Sequence, residues 1–333
     1  TPEIDASTGV PLGIPLSELK RAIVENPIAL LLTEPGYLGT ISDLAPLIKR
    51  AHESAIPVIV DAAWGGHFGF HPDLPKHVMQ LGADALITSV HKALPGYSAS
   101  ALLLARTNLL SADRLEQSFE TTHTTSPAGA PLASIDGVRA LLETRGEELL
   151  GQLLENIHRF KETVQAEFAL PIFLYPSDFP AGRFDPSKLV LRVQQLGASG
   201  VDIEEDLQQQ GIRVELADRD TIVFLATIAD TAADFERLAD VLIPILKKRQ
   251  EQRRESATAL SWSVIPQKAT SMRDAYFAKT EMVDAKSAVG RISADLIAPY
   301  PPGVAVVAPG EVLTEQIVSG LQASRAAGVR IAY

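Results

Sequence analysis

Two segments of the chain combine residue types that do chemistry together. Asp61-Ala62-Ala63-Trp64-Gly65-Gly66-His67 follows the apolar run Pro57-Val58-Ile59-Val60, and Thr88-Ser89-Val90-His91-Lys92 follows Ala85-Leu86-Ile87. In a parallel α/β sheet, ligands bind beyond the carboxyl ends of the strands. Two neighbouring strand ends would then offer a carboxylate, two hydroxyls, two imidazoles and an amine. A lysine can condense with an aldehyde, and a carboxylate can stabilise a protonated heterocycle. Pyridoxal 5'-phosphate (PLP) asks for both, with Ser89 and His91 as donors to its phosphate. The plain alternative is a half-exposed ion pair of Asp61 and Lys92 at a sheet edge, which contributes little. The Gly66, His67, Gly69 string lacks the spacing of a nucleotide loop, and His67, His71 and His77 lack carboxylate companions at the spacing of a metal site.

The elements around these segments predict an α/β fold. Leu19, Ala22 and Ile23, and then Leu44, Leu47, Ile48 and Ala51, fall at helix spacing. Ile28 to Leu32, Pro57 to Val60, Ala85 to Ile87 and Ala101 to Leu104 are short, continuously apolar runs. Such runs describe strands of a mainly parallel sheet flanked by helices, with both faces covered. A long helix is expected from about Pro131 to Phe168, with Leu150, Leu153, Leu154 and Ile157 as its buried stripe, bridging two domains. Beyond Pro171 the pattern predicts a hairpin of Arg213–Leu216 with Ile222–Leu225, a helix from Ala232 to Lys248, and a strand over Val304–Val307 after the non-helical Pro299-Tyr300-Pro301-Pro302-Gly303. At 333 residues two cores are expected. Residues 1–150 are read as a large domain with its linking helix, and residues 151–333 as a smaller α+β domain.

Composition narrows the partners. The net charge of −11 repels phosphate backbones and anionic lipid, so nucleic acid and membrane are excluded as expected partners. The basic run from Lys247 to Arg254 alternates with Gln and Glu and reads as a solvated helix end. The absence of cysteine excludes disulfides, thiolate metal sites and a cysteine nucleophile. No apolar stretch is long enough to span a bilayer and no signal pattern opens the chain, so a cytoplasmic location is expected.

The segment Val60 to Pro72, with Thr88-Ser89-Val90-His91-Lys92, resembles the Orn/Lys/Arg decarboxylase family of fold-type-I PLP enzymes. Thr124-Thr125-Ser126-Pro127 with Ser134-Ile135-Asp136, Ala275-Tyr276-Phe277 with Ala288 to Ser293, and Tyr300-Pro301-Pro302-Gly303 with Pro309-Gly310-Glu311 agree with it. The resemblance spans nearly the whole chain. It implies an aspartate-aminotransferase-like large domain, incomplete here, with Lys92 as the Schiff-base lysine and Asp61 as the partner of the pyridine nitrogen. Ala63 becomes a ring-packing residue within the cofactor-binding segment that includes Trp64, and Ser89 and His91 become phosphate-side contacts. Thr125 and Ser126 would reach the cofactor of a neighbouring subunit, so a homo-oligomer with interface active sites is expected. Relatives carry a long segment ahead of the point where this sequence begins. The chain is therefore expected to be the C-terminal portion of an enzyme, with a complementary N-terminal fragment as a further partner.

The reaction implied is decarboxylation of a basic amino acid, lysine, ornithine or arginine, to its amine. Two other readings accompany it. A PLP-dependent aminotransferase on the same fold would need an arginine for the substrate's α-carboxylate, with Arg183, Arg192, Arg213, Arg273 and Arg291 available. A truncated, non-catalytic partner chain would need no cofactor.

Overall fold

A computed structural model of the chain describes residues 2–5, 8–123, 126, 128–251, 264–300, 304–326 and 329–332. In chain order the elements begin β1 (Glu3–Ile4), β2 (Pro11–Gly13), α1 (Leu16–Ile23), β3 (Leu30–Thr33), α2 (Leu44–His52), β4 (Val58–Asp61), β5 (Ala85–Ser89) and β6 (Ala101–Ala105). They continue with α3 (Ala112–Thr122), α4 (Gly129–Gln165), β7 (Leu189–Arg192), α5 (Gly200–Gln209), β8 (Leu216–Ala217), β9 (Thr221–Phe224), α6 (Ala232–Arg249), α7 (Met272–Phe277), β10 (Ala298–Tyr300), α8 (Glu315–Ala326) and β11 (Arg330–Ala332). Two compact units result. One holds residues 2–190 and 224–240, the other residues 191–223 and 241–333. Residue 150, the expected domain limit, falls inside α4, a continuous helix that lies wholly within the first unit.

The first unit is built on a four-stranded sheet of order β3-β4-β5-β6. Leu30 to Thr33 pair in parallel with Val58 to Asp61, and Ile59 to Asp61 pair in parallel with Ala85 to Ile87. α2 packs on one face because Leu44, Leu47, Ile48 and Ala51 recur at helix spacing, and all four are buried. They share a core with Leu19, Leu32, Val58, Val60 and Leu86. Truncating Leu47 or Leu86, each 1% exposed, would cost about 2–5 kcal/mol.

The sheet is mainly parallel, as expected, with β6 as an antiparallel edge strand, Ala85 pairing with Ala105 and Ser89 with Ala101. One expectation is corrected here, that both faces are covered. They are covered unequally. Leu31 is 67% exposed and Leu103 45%, because the helices that pack on Leu32, Val60 and Leu86 lie on the side to which these two residues do not point.

α4 matches the expected long helix within a few residues, and Leu150, Leu153 and Ile157 are buried. It does not bridge the units, because its apolar stripe finds partners in its own. Leu142 and Leu150 share a core with Leu74, Val90 and Leu94. Phe160 meets Phe173 and Phe235 at 5.9 and 6.0 Å between ring centres.

In the second unit, β8 and β9 form the expected hairpin, with Leu216 opposite Val223. α6 starts among the residues of the first unit, and its last turn, in the second, is the expected basic one, where Arg249 grips Asp206 with two hydrogen bonds of 2.7 and 2.9 Å. Residues 252–254 of the basic run lie outside the described residues. Val304–Val307 is not a strand. Val307 contributes a single bridge to Ile297, while Ala298–Tyr300 supplies the strand and pairs with β11. Val306 and Val307 are instead core residues with Leu313, Ile317 and Val318.

One charged residue of α4 is buried with the apolar ones. Lys161 Nζ donates to the carbonyls of Leu174 and Lys188 at 2.9 and 3.0 Å and stands 5.3 Å from the centre of the Tyr175 ring. Burial draws its ammonium down to about 8, against the opposing charges of Asp185 and Asp178. Between pH 8 and 10.5 the unfolded chain therefore holds more protons at this position than the folded one, and stability from this group rises with pH across that window. Denaturant unfolding from pH 7 to 10.5 should show the wild type gaining up to about 3 kcal/mol relative to Lys161→Met. Parallel curves for the two proteins would contradict this.

Candidate active site

The parallel register sets the site. Thr33, Asp61 and Ile87 lie side by side, so the residues that leave β3, β4 and β5 emerge along one edge. The backbone continues to bind just beyond the strands. Glu34 N donates to Asp61 O at 2.9 Å, Ala62 N donates to Ile87 O at 2.7 Å, and Thr88 Oγ1 donates to Ala62 O at 2.9 Å. Asp61 Oδ1 accepts from Ala63 N at 3.0 Å, a local turn that fixes the carboxylate at the mouth of the strand.

The loop that carries Lys92 closes on itself. Ser100 O accepts from Val90 N at 3.0 Å and from His91 Nδ1 at 2.8 Å, and Val90 O accepts from Gly96 N at 2.8 Å. A carbonyl only accepts, so His91 Nδ1 carries a hydrogen, and the neutral ring presents Nε2 as a lone pair. Gly96 is required here, since a Cβ at this position would lie 2.5 Å from Val90 O. Ala99 adopts φ +65°, a left-handed conformation that an alanine takes only under constraint from its surroundings.

Trp64 is the meeting point. Lys92 Nζ is 5.0 Å from the centre of its ring, Lys188 Nζ is 3.9 Å away, and Tyr37 meets it edge-on at 5.6 Å. Behind the turn that holds Trp64 sits a buried polar cluster. His67 Nε2 lies 3.0 Å from Ser187 Oγ and 3.3 Å from Asp185 Oδ1, and Ser187 Oγ donates to Asp185 Oδ1 at 2.7 Å. Asp185 is fully buried. Burial works to raise its carboxyl, but the charge and hydrogen bond of His67 and the charge of Lys188 outweigh it and hold the group below its ordinary value.

Glu34, at the end of β3, is buried too. Its Oε2 accepts from Ser42 N at 2.9 Å. Burial pushes its carboxyl up to about 7, against the hydrogen bonds of Ser42 and the charge of Arg183.

Of the residues expected from sequence, Asp61, Ala63, Trp64, Ser89, His91 and Lys92 all belong to the two segments that leave β4 and β5 at this edge. Ser126 is exposed ahead of α4, and Thr125 lies outside the described residues, as do Thr124, Pro127 and Pro301 to Gly303. Among the candidate arginines, Arg183 donates to the carbonyls of Ile41 and Leu12, Arg273 lies over Phe277, and Arg291 pairs with Glu281. Sequence reading missed Glu34, Tyr37, Asp185, Ser187 and Lys188. The strand-end rule applied to β3 would have found the first two. The other three lie more than 90 residues from Lys92 and carry no local signal.

Comparison with known proteins decides the family. Residues 1–176 match the major domain of Orn/Lys/Arg decarboxylases, and residues 250–330 match their C-terminal domain. The chain belongs to the Orn/Lys/Arg decarboxylase family. It is 36% identical to an arginine decarboxylase of Bacillus subtilis, over 99% of this chain and 69% of that protein. Its fold matches the constitutive lysine decarboxylase of E. coli with a TM-score of 0.79 at 20% identity, covering 99% of this chain and 61% of that one. A structure of SPT with PLP matches with a TM-score of 0.54 at 16% identity, over 70% and 59% of the two chains. The architecture is thus that of the fold-type-I enzymes, and the chain spans about three fifths to two thirds of the length of its decarboxylase relatives.

The loop around Lys92 yields a direct test. Gly96→Ala should force Val90 O away and open the hydrogen-bonded closure at Ser100, accelerating amide exchange at Val90 and Gly96 well beyond any change in β4. Unchanged protection at both amides would show that the loop tolerates a side chain there.

Proposed function

We propose that this chain carries the cofactor lysine of a PLP-dependent decarboxylase acting on a basic amino acid. One observation carries the reading: an amine, Lys92, and a carboxylate, Asp61, leave adjacent parallel strands in a member of the Orn/Lys/Arg decarboxylase family. The donor set fits PLP. Asp61 is anchored through one carboxylate oxygen by its own turn, Lys92 lies beside an aromatic wall, and a hydroxyl and an imidazole flank the lysine. On this reading Lys92 holds the aldehyde, Asp61 the ring nitrogen, Ala63 packs on the ring, and Ser89 and His91 take the phosphate. When bound, PLP supplies an electron sink for the pair left at Cα as carbon dioxide departs.

The residues of the chain do the rest. Lys92 Nζ acts as a nucleophile in its neutral form and, once released by the incoming substrate amine, is free to hand a proton to Cα. Asp61, as a carboxylate, keeps a proton on the heterocyclic nitrogen and so maintains its positive charge. His91 already donates through Nδ1 to Ser100, so it donates to a phosphate only as the imidazolium, with Nε2 protonated as well. Each turnover consumes one proton, since a carboxylate leaves as neutral carbon dioxide and the product keeps its ammonium.

Arginine is the first substrate to test, because the arginine decarboxylase relative covers nearly the whole chain. Lysine and ornithine differ from each other by one methylene, which a pocket discriminates by only about 1–3 kcal/mol. A homo-oligomer with its site completed by a neighbouring subunit belongs to the same proposal. It is supported by the exposed apolar residues Leu31, Leu103 and Phe119, and by α3, which buries none of its side chains. No described helix is long and apolar enough to cross a membrane.

Borohydride reduction of the PLP-loaded protein should place a phosphopyridoxyl group on Lys92, and Lys92→Ala should lose it while turnover falls by about 10² to 10⁴-fold. An adduct on another lysine would refute the assignment. Asp61→Asn should keep the cofactor and lose turnover, whereas near wild-type rates would make Asp61 structural. Carbon dioxide release should be measured with arginine, lysine and ornithine. Formation of a keto acid in its place would make the enzyme an aminotransferase.

A further inference from the structure

The cluster behind Trp64 takes no part in the chemistry just described, yet it contains the most deeply buried charge near the site. Asp185 has no exposed surface, and its Oδ2 makes no hydrogen bond. A carboxylate so placed is costly unless a cation or a set of donors compensates it. Its companions are His67, Ser187 and Lys188, and they lead back to the site by two routes. His67 stands three residues after Trp64 in the same turn and is held by Ser187 at 3.0 Å. Lys188 reaches over Trp64 itself, 3.9 Å from the ring centre. The loop 185–188 therefore clasps the loop after β4 at two points.

The path of the Lys188 side chain is fixed along its length. Lys188 N donates to Asp185 O at 3.1 Å, and its own carbonyl accepts from Lys161 Nζ at 3.0 Å. Its stem passes close over Gly39, where a Cβ would fall 2.7 Å from Lys188 Cγ, and Gly39 holds φ +98°. The residue is only 7% exposed. A cation over the face of a tryptophan, shielded from water, is among the stronger contacts an indole makes.

We propose that Lys188 is a positioning residue of the active site: its ammonium, set by the Asp185 cluster, fixes the Trp64 indole against which Lys92 rests. The ring cannot turn without losing the ammonium at 3.9 Å, and Lys92 Nζ at 5.0 Å from the same centre takes its place from that ring. The proposal rests on the PLP reading for the role of Lys92 but not for the state of Trp64.

The test uses the full-length protein labelled with 5-fluorotryptophan, the Trp64 resonance being identified by its loss in Trp64→Phe. Lys188→Met keeps the length of the side chain and removes its charge, and Lys188→Arg keeps a cation. Should the methionine variant fail to fold, Lys188→Gln serves as the uncharged variant. The uncharged variant should shift the Trp64 resonance in the cofactor-free protein and slow the fixation of PLP on Lys92 by about 5- to 30-fold, the size of a shielded cation–π contact. Lys188→Arg should restore both readouts towards wild type. The proposal is overturned if the uncharged variant leaves the Trp64 resonance where it stands in the wild type or slows fixation by less than about fivefold, or if both variants are equally impaired while melting as wild type. Failure of the wild type to fix PLP on Lys92 would instead refute the cofactor reading, and the fluorine readout would still judge Lys188.

Discussion

Parallel strands cannot be joined by a tight turn, and everything at the candidate-site edge follows from that restriction. The chain must cross the face of the sheet between β3 and β4, which it does through α2, so successive strands point the same way and their carboxyl ends collect on one side. Asp61 and the segment that leads to Lys92 are 31 positions apart in sequence at their extremes, yet they leave neighbouring strands because Asp61 is registered with Ile87. A shift of one residue in that pairing would turn Asp61 to the other face and place a carboxylate in the core formed by Val60 and Leu86. The hydrophobic pattern that buries Val58 and Val60 thereby also orients the carboxylate.

Side chains near the site are held mostly by backbone. Asp61 is braced by an amide two residues on, His91 by the carbonyl of Ser100, and Lys161 by two carbonyls at once. Backbone partners vary little with side-chain substitution, so such contacts give a constant frame. Trp64 differs, because its surroundings are two lysines and a tyrosine. It is the part of the site whose geometry depends on distant residue identities, which gives the Asp185 cluster its importance.

The sequence was most legible where structure and chemistry are local. Apolar runs of four or five residues located β4 and β5, and the polar residues directly behind them are the candidate site residues, so proposing Asp61 and Lys92 needed no tertiary knowledge. The helices were equally plain, since Leu44, Leu47, Ile48 and Ala51 can share a face only at helical period. The direction of β6 was not legible, because Ala101 to Leu104 is as apolar in either orientation. Nor was the unequal covering of the sheet: an apolar run states that burial is favourable, but not which segment supplies it. Lys188 and Asp185 were out of reach for another reason. Their meaning comes from contacts with Trp64 and His67, more than 110 residues away, and nothing in their own neighbourhood announces it.

The open side of the sheet has a practical corollary for anyone isolating these residues by themselves. β3 and β6 are its outer strands among the described residues, and Leu31 and Leu103 on them face water. Unpaired strand edges beside exposed leucines favour strand-to-strand association, which grows with concentration and with ionic strength as charge repulsion is screened. The eleven net negative charges of the chain oppose this at low salt. Dilute, low-salt buffers should therefore keep the isolated polypeptide dispersed, while salting-out steps, harmless to most enzymes, would drive it into aggregates.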